Sequence, residues 1–354
     1  MNTINVCVTG VGGGGHGEQI VKALRLADTP YRIVGTDMSR LSAGMALVDE
    51  FEILPPASDP GYVAALLDLC GRREIRALFH GSEPELQALS ENRDVFARAG
   101  VFTPLNPADR IALCMDKVRM FETLRDMGME VPWFSRVRKE DDALATPRYP
   151  LVLKPSVGSG GSANTFIAQN EEENRLFSRH LLGIYPEFVA QEYVGTPDDE
   201  YTAGVLLDME GTCINSIAVH RHIRTTLSRR LRLPNTTGRP ELGPELVISS
   251  GISQGDIGPY PAVAGPCEEI ATALGMTAAC NIQCRFVDGR VMLMEINPRF
   301  SGTTSLRAMV GYNEPDVLIR KYVLGEEITP RFQYSSGVIL RRLEECLVQD
   351  GGSQ

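Results

Sequence analysis

Residues 280–302, CNIQCRFVDGRVMLMEINPRFSG, set one side-chain amide and one carboxylate on two short alternating strands that run into Asn-Pro-Arg. If the segment is a hairpin whose paired positions sum to 578, Ile282, Cys284 and Phe286 share a face with Met292, Met294 and Ile296. The opposite face then carries Gln283 against Glu295, with Asn297 two residues further along and Arg299 just beyond. An oxygen-only set with one carboxylate suits Mg²⁺, which completes its shell with water and substrate phosphates. A hairpin with one wet face accounts for the alternation but not for Glu-x-Asn-Pro-Arg at its end. The register requires a three-residue loop, Asp288-Gly289-Arg290, because a two-residue Asp-Gly turn puts Gln283 on the wrong face.

A second constellation is Val152-Leu153-Lys154-Pro155 followed by SVGSGGS, which contains Gly158, Ser159, Gly160, Gly161 and Ser162. Glycines let backbone N–H groups approach phosphate oxygens, and a preceding Lys adds a compact positive charge. The Lys stands before the glycines, so this is no Walker A loop; the bland alternative is a surface hairpin loop. Lys117 early in a helix reads either as a phosphate contact or as a solvated surface residue. Gln191-Glu192-Tyr193-Val194 reads as a strand edge able to meet a base through its backbone, with Glu200 placed for ribose hydroxyls, or as plain strand, turn, strand.

These groups need a scaffold. Residues 1–105 alternate strand and helix: Asn5–Thr9, His16–Leu26, Tyr31–Thr36, Tyr62–Arg72, Ala77–Phe79 and Glu83–Ala99. That alternation predicts a parallel sheet with helices on both faces. One helix is expected from Ala108 to Gly128, strands dominate from Tyr149, and helices are expected at Glu171–Phe177 and Pro266–Gly275. Residues 220–262 read as long substrate-facing loops, and Asp350–Gln354 as a frayed end.

The 354 residues, 43% hydrophobic and 23% charged, fit a globular protein of two or three domains. A net charge of −10 argues against bulk affinity for nucleic acid or an anionic membrane. No apolar run approaches the ~20 residues of a membrane span, and the N-terminus lacks a signal-peptide pattern. The eight cysteines form no CxxC pair and read as reduced thiols of a cytoplasmic enzyme.

In order and spacing, the helical Lys, Lys-Pro before a Gly-rich loop, Gln-Glu-Tyr-Val, Glu-Tyr-Thr and Gln…Glu-x-Asn-Pro-Arg resemble the ATP-grasp superfamily, and within it the carbamoyl-phosphate-synthase large-subunit branch. The resemblance implies an N-terminal pre-ATP-grasp α/β domain at 1–105 and an α+β ATP-grasp domain at 106–330. The latter has a lid lobe at about 133–195 and a metal lobe at about 200–330, and a C-terminal extension follows at 331–354. It implies that Lys117 and Lys154 hold the α- and β-phosphates and that the loop Gly158–Ser162 closes over the triphosphate. It further implies Glu192 and Val194 at the adenine edge, Glu200 on the ribose, and two Mg²⁺ (with Mn²⁺ as a substitute) on Gln283, Glu295 and Asn297. Arg299 would stabilise the transferred phosphoryl group. The expected activity is an ADP-forming carboxylate–amine or carboxylate–thiol ligase, with small-molecule acid and amine substrates of the amino-acid or small-peptide class and a homodimeric assembly. Ser250–Asp256 resembles a Gly-Ile-His-Thr-Gly-Asp segment of that branch, with Ser253 where the His would stand. A single grasp module argues against carbamoyl phosphate synthesis itself.

The substrate candidates are Gly14, Glu83, Arg221, Arg224, Arg299 and Ser301. Arg221 and Arg224 belong to HRHIRTTLSRRLR, which reads equally as an anion clamp and as a solvated basic loop. Gly10–Gly17, GVGGGGHG, with Asp37 closing the next strand, motivates a rival reading as an NAD(P)-dependent Rossmann-type oxidoreductase. A nucleotide-binding module without catalysis is the other rival.

Overall fold

The computed structural model describes residues 3–144, 148–158 and 162–347; Ser159, Gly160, Gly161 and the 350–354 tail lie outside the described residues. The chain opens with β1 (Ile4–Val8), α1 (His16–Arg25), β2 (Tyr31–Asp37), β3 (Glu50–Ile53), α2 (Tyr62–Arg72), β4 (Ala77–Phe79), α3 (Glu83–Glu91) and α4 (Arg93–Arg98). The strands make a parallel sheet of order β3-β2-β1-β4. β1 is buried along almost its whole length, as a strand covered on both faces must be. β3 was not foreseen, and the expected helix at 83–99 is two helices that meet at Asn92.

A second break matters more. The expected helix at 108–128 is α5 (Ala108–Met115) and α6 (Lys117–Asp126). Asp116 is extended, and its carboxylate accepts from Arg119 N–H at 3.2 Å and from Ser156 Oγ at 2.6 Å. An Asp that caps a new helix competes with continuation of the old one. Lys117 therefore heads a helix instead of lying mid-way along one.

The lid sheet has order β5-β8-β6-β7, built from β5 (Phe134–Val137), β6 (Leu151–Pro155), β7 (Phe166–Ala168) and β8 (Phe188–Glu192). α7 (Glu140–Leu144) and α8 (Glu171–Leu182) accompany it. Then come β9 (Glu200–Leu207), β10 (Cys213–Arg221), β11 (Arg229–Pro234), β12 (Glu245–Ser249), β13 (Gly255–Gly258), α9 (Pro261–Ala273), β14 (Ala279–Val287), β15 (Arg290–Asn297), α10 (Thr304–Met309), α11 (Glu314–Tyr322) and β16 (Gly337–Ile339). Six of these form an antiparallel sheet of order β15-β14-β9-β10-β13-β16, and β11 pairs with β12. The stretch expected to be loops thus holds three strands, whose alternation is masked by arginines: β11 alternates half-buried and exposed positions.

The N-terminal sheet is tied to the large sheet through buried polar groups. Asn106 Nδ2 donates to the carbonyls of Ala279 and Pro298, both at 2.9 Å, and Tyr31 Oη donates to Asp316 at 2.7 Å. Phe79, at the end of β4, packs edge-on against Phe300 at 5.5 Å. Each such hydrogen bond contributes about 1 kcal/mol net, and the Asn106–Pro298 bond and the Phe79–Phe300 contact hold the end of β4 beside the Asn297–Ser301 segment. Among the described residues the cysteines are free, and no helix is long and apolar enough to cross a membrane.

Candidate functional site

β14 and β15 meet at a turn of two residues, Asp288 and Gly289, both with positive φ. The expected three-residue loop is thus corrected, and near the turn the register is one residue off the expected one: Cys284 faces Leu293 and Phe286 faces Val291. Leu293 and Val291, not Met294 and Met292, are the buried partners on the apolar side. Between Leu293 and Glu295 a β-bulge absorbs one residue, and from there Gln283 faces Glu295, Ile282 faces Ile296 and Asn281 faces Asn297. The expected Gln283–Glu295 pair is present, reached through turn plus bulge.

Lys117 Nζ lies 3.2 Å from Glu295 Oε1. Burial alone would raise the Glu295 pKa, but the charges of Lys117, Lys154 and Arg299 outweigh it and hold the carboxyl below its usual range. Lys154, on β6, donates to Gln191 Oε1 at 2.7 Å and to the Met294 carbonyl at 2.9 Å. Burial, with Lys117 as a like charge nearby, lowers its pKa to about 7. Ser156 joins the two lysines: its carbonyl accepts from Lys117 N–H at 2.9 Å and its hydroxyl from Val118 N–H at 3.1 Å.

These groups line a cleft between the lid sheet and the large sheet, with Gln191, Glu192, Tyr193, Val194, Ser162, Gln283 and Met294 also on its walls. A smaller cavity adjoins it, lined by Glu83, Gly158, Asn297 and Arg299, and Lys117 and Glu295 border both. Arg299 donates to Asn297 Oδ1 at 2.9 Å and to Glu83 Oε1 at 3.1 Å, so the end of β15 and the start of α3 meet there. Glu192 forms ion pairs with Arg239 (3.6 Å) and Arg148 (3.9 Å) at the cleft edge. Gln283, Glu295 and Asn297 are one carboxylate and two amides on adjoining strands. Their chemistry fits Mg²⁺, and no cluster of three His, Cys, Asp or Glu able to hold a metal occurs among the described residues.

Several expected residues sit elsewhere. Glu200 is fully enclosed, 2.7 Å from Arg221 and 3.6 Å from Arg285, and offers no oxygen to a ribose. Arg221 is no clamp for an anionic substrate: it is buried and donates to Glu200, Ser249 and the carbonyls of Ser250 and Ile252. Arg224 is exposed beside Asp198, away from both cavities. The Tyr193 hydroxyl is spent on the Val247 backbone, and the Val194 carbonyl accepts from Arg285 at 2.9 Å. Ser301 is buried and bonded to Thr303. The glycine loop spends two of its amides internally, Gly12 N–H on Asp37 at the end of β2 and Gly14 N–H on Glu18, which withdraws them from a dinucleotide pyrophosphate.

Two histidines escaped sequence reasoning because neither has a partner nearby in the chain. His80 follows β4, is fully buried, and neither ring nitrogen has a hydrogen-bond partner among the described residues. Burial and Arg299 lower its pKa to about 3; burial, Arg299 and His80 lower that of His16 to about 2.

Two family models match the chain: "PylC-like, N-terminal domain" over residues 9–104 and "ATP-grasp in the biosynthetic pathway with Ter operon" over residues 251–346. The carbamoyl phosphate synthase large chain of Thermoplasma acidophilum is 26% identical over 223 residues, which is 61% of this chain and 20% of that one. Among solved structures, the chain is similar to the biotin carboxylase domain dimer of Hydrogenobacter thermophilus 2-oxoglutarate carboxylase with MgADP and bicarbonate. The TM-score is 0.60 and the identity 17%, over 94% of this chain and 72% of that one. It is also similar to Bacillus anthracis D-alanine–D-alanine ligase with ATP, with TM-score 0.56 and 16% identity over 92% and 98% of the two chains. The chain has the ATP-grasp fold. Lys117, Lys154 and Glu295 meet in the cleft between the lid sheet and the large sheet. The ATP-grasp chain described here spans less than a third of the length of the curated relatives it matches.

Proposed function

We propose that this chain is an ATP-dependent, ADP-forming ligase that joins a small carboxylate to an amine or similar nucleophile. The observation that carries the reading is the convergence, in one cleft, of Lys117 and Lys154 from the lid side with Gln283 and Glu295 from the bulged hairpin. Lys117 and Lys154 hold the α- and β-phosphates, and Glu192 and Val194 border the base. Gln283, Glu295 and Asn297 hold Mg²⁺, which when bound supplies charge neutralisation at the phosphate oxygens. Two ions are the expectation.

The substrate carboxylate oxygen attacks the γ-phosphorus, and the bond from that phosphorus to ADP breaks. Arg299, at the junction of the two cavities, stabilises charge on the phosphoryl oxygens and then on the acyl phosphate. The nucleophile attacks the acyl carbon, phosphate leaves with the former carboxylate oxygen, and the amine loses a proton. Glu83 and Arg299 form the wall on which the substrate is aligned. The amino-acid or small-peptide class and a homodimeric assembly are part of this proposal, supported by the D-alanine–D-alanine ligase and biotin carboxylase dimer as relatives in fold. Incubation with Mg·ATP and a pool of ¹⁸O-carboxylate-labelled amino acids and small acids tests it. Phosphate that carries one ¹⁸O is expected; label in AMP, or none in phosphate, refutes the acyl phosphate.

A further inference from the structure

We propose that Gln191 is a positioning residue whose side chain clamps the β15 bulge and thereby sets the face on which Glu295 stands; this rests on the metal–nucleotide reading of the cleft. From the Asp288-Gly289 turn the hairpin pairs Val287 with Arg290 through to Cys284 with Leu293. Continued without interruption, that register would set Gln283 against Met294 and leave Glu295 opposite Ile282, a fully buried core residue. Because side chains alternate, a one-residue slip moves a whole strand segment to the other face. The carboxylate reaches the cleft only because Met294 is the extra residue.

Something must stabilise a bulge whose ladder is locally broken. In this chain two consecutive carbonyls, those of Leu293 and Met294, both accept from the facing lid sheet. Gln191 Nε2 donates to Leu293 O at 3.0 Å, and Lys154 Nζ donates to Met294 O at 2.9 Å. Gln191 Oε1 in turn accepts from Lys154 Nζ at 2.7 Å, so one amide serves both halves of the clamp. Gln191 is 4% exposed, and both its polar atoms are spent inside the protein. The chemistry requires an amide. Glu would lack the donor for Leu293 O, and Leu would leave the carbonyl and one lysine proton unpaired in a buried place.

The probe is ADP, titrated by calorimetry with and without Mg²⁺ into wild type, Gln191→Leu and Gln191→Glu, with circular dichroism confirming the fold. Wild type is expected to bind ADP more tightly with Mg²⁺. Both variants should lose roughly 10- to 100-fold of that metal-dependent gain, with a smaller change in metal-free affinity, which a general loss of structure would not produce. If Gln191→Leu does not fold, Gln191→Glu carries the test, since it removes the donor to Leu293 while its carboxylate, now charged, still accepts from Lys154. Variants that keep the wild-type Mg²⁺ dependence overturn the clamp alone. A wild type indifferent to Mg²⁺ overturns the metal reading, and the clamp with it.

Discussion

Lys117 Nζ stands 3.2 Å from Glu295 Oε1, a contact that spans the break between α5 and α6 on one side and the bulge of β15 on the other. Both ends depend on a local interruption of regular structure. An unbroken helix would carry Lys117 elsewhere, and an unbroken ladder would turn Glu295 into the core.

The helix break makes the first prediction. Asp116→Ala removes the cap on Arg119 N–H and the acceptor of the Ser156 hydroxyl. Loss of such a cap costs about 1 kcal/mol. ADP affinity should fall with it, because the same change loosens Lys117, whereas Asp116→Asn should keep most of both. Thermal melts and calorimetry read the two effects.

Lys154 sets a pH dependence. With its folded pKa at about 7 and an unfolded value about three units higher, the unfolded chain holds the extra proton between those two values. This group's contribution to stability therefore rises with pH across that window. Nucleotide affinity runs the opposite way. A phosphate requires the charged amine, so MgADP binding at about pH 8 should take up a proton, and affinity should fall toward about tenfold per pH unit. Titrations in buffers of different ionisation enthalpy measure the uptake, and Lys154→Arg should abolish it.

Beneath the site, Arg307 is fully buried, 3.0 Å from Glu314, and donates to Asn281, the cross-strand neighbour of Asn297. Gly204 leaves it room, since a Cβ there would fall 2.3 Å from the guanidinium. Arg307→Met should cost about 3–5 kcal/mol by stranding Glu314, and Arg307→Met with Glu314→Leu distinctly less. Denaturant unfolding of the two variants measures the difference, and equal losses would contradict the pairing argument.

The internally bonded glycine loop predicts that NAD(P) does not bind. With Gly12 and Gly14 amides held by Asp37 and Glu18, fluorescence titration of NAD(P)H should show no saturation at micromolar levels. Binding that survived Lys154→Met would restore the oxidoreductase reading.

Much of this architecture was legible in the sequence. The alternation of β1, β2 and β4 with their helices, the two lysines and the Gln283–Glu295 pair follow from periodicity and motif order, because long apolar repeats and rare residue combinations are local signals. The breaks were not legible. Asp116 reads like any helical acid until Ser156, 40 positions later, supplies its partner. The bulge at Met294 is fixed by Gln191, about a hundred residues away, so no window of sequence contains both. The fates of Arg221 and Glu200 were hidden for the same reason: each looks like a surface charge until the fold buries them together.

The most direct test of the central claim is product analysis of Mg·ATP turnover with amino-acid and small-acid pools, for wild type and Glu295→Gln together. Wild type should release ADP and phosphate only with particular pools. Glu295→Gln should lose about 100-fold or more of that rate, as expected when a phosphate-bridging metal site is lost. AMP and pyrophosphate from wild type, or undiminished ADP release from Glu295→Gln, would contradict the account.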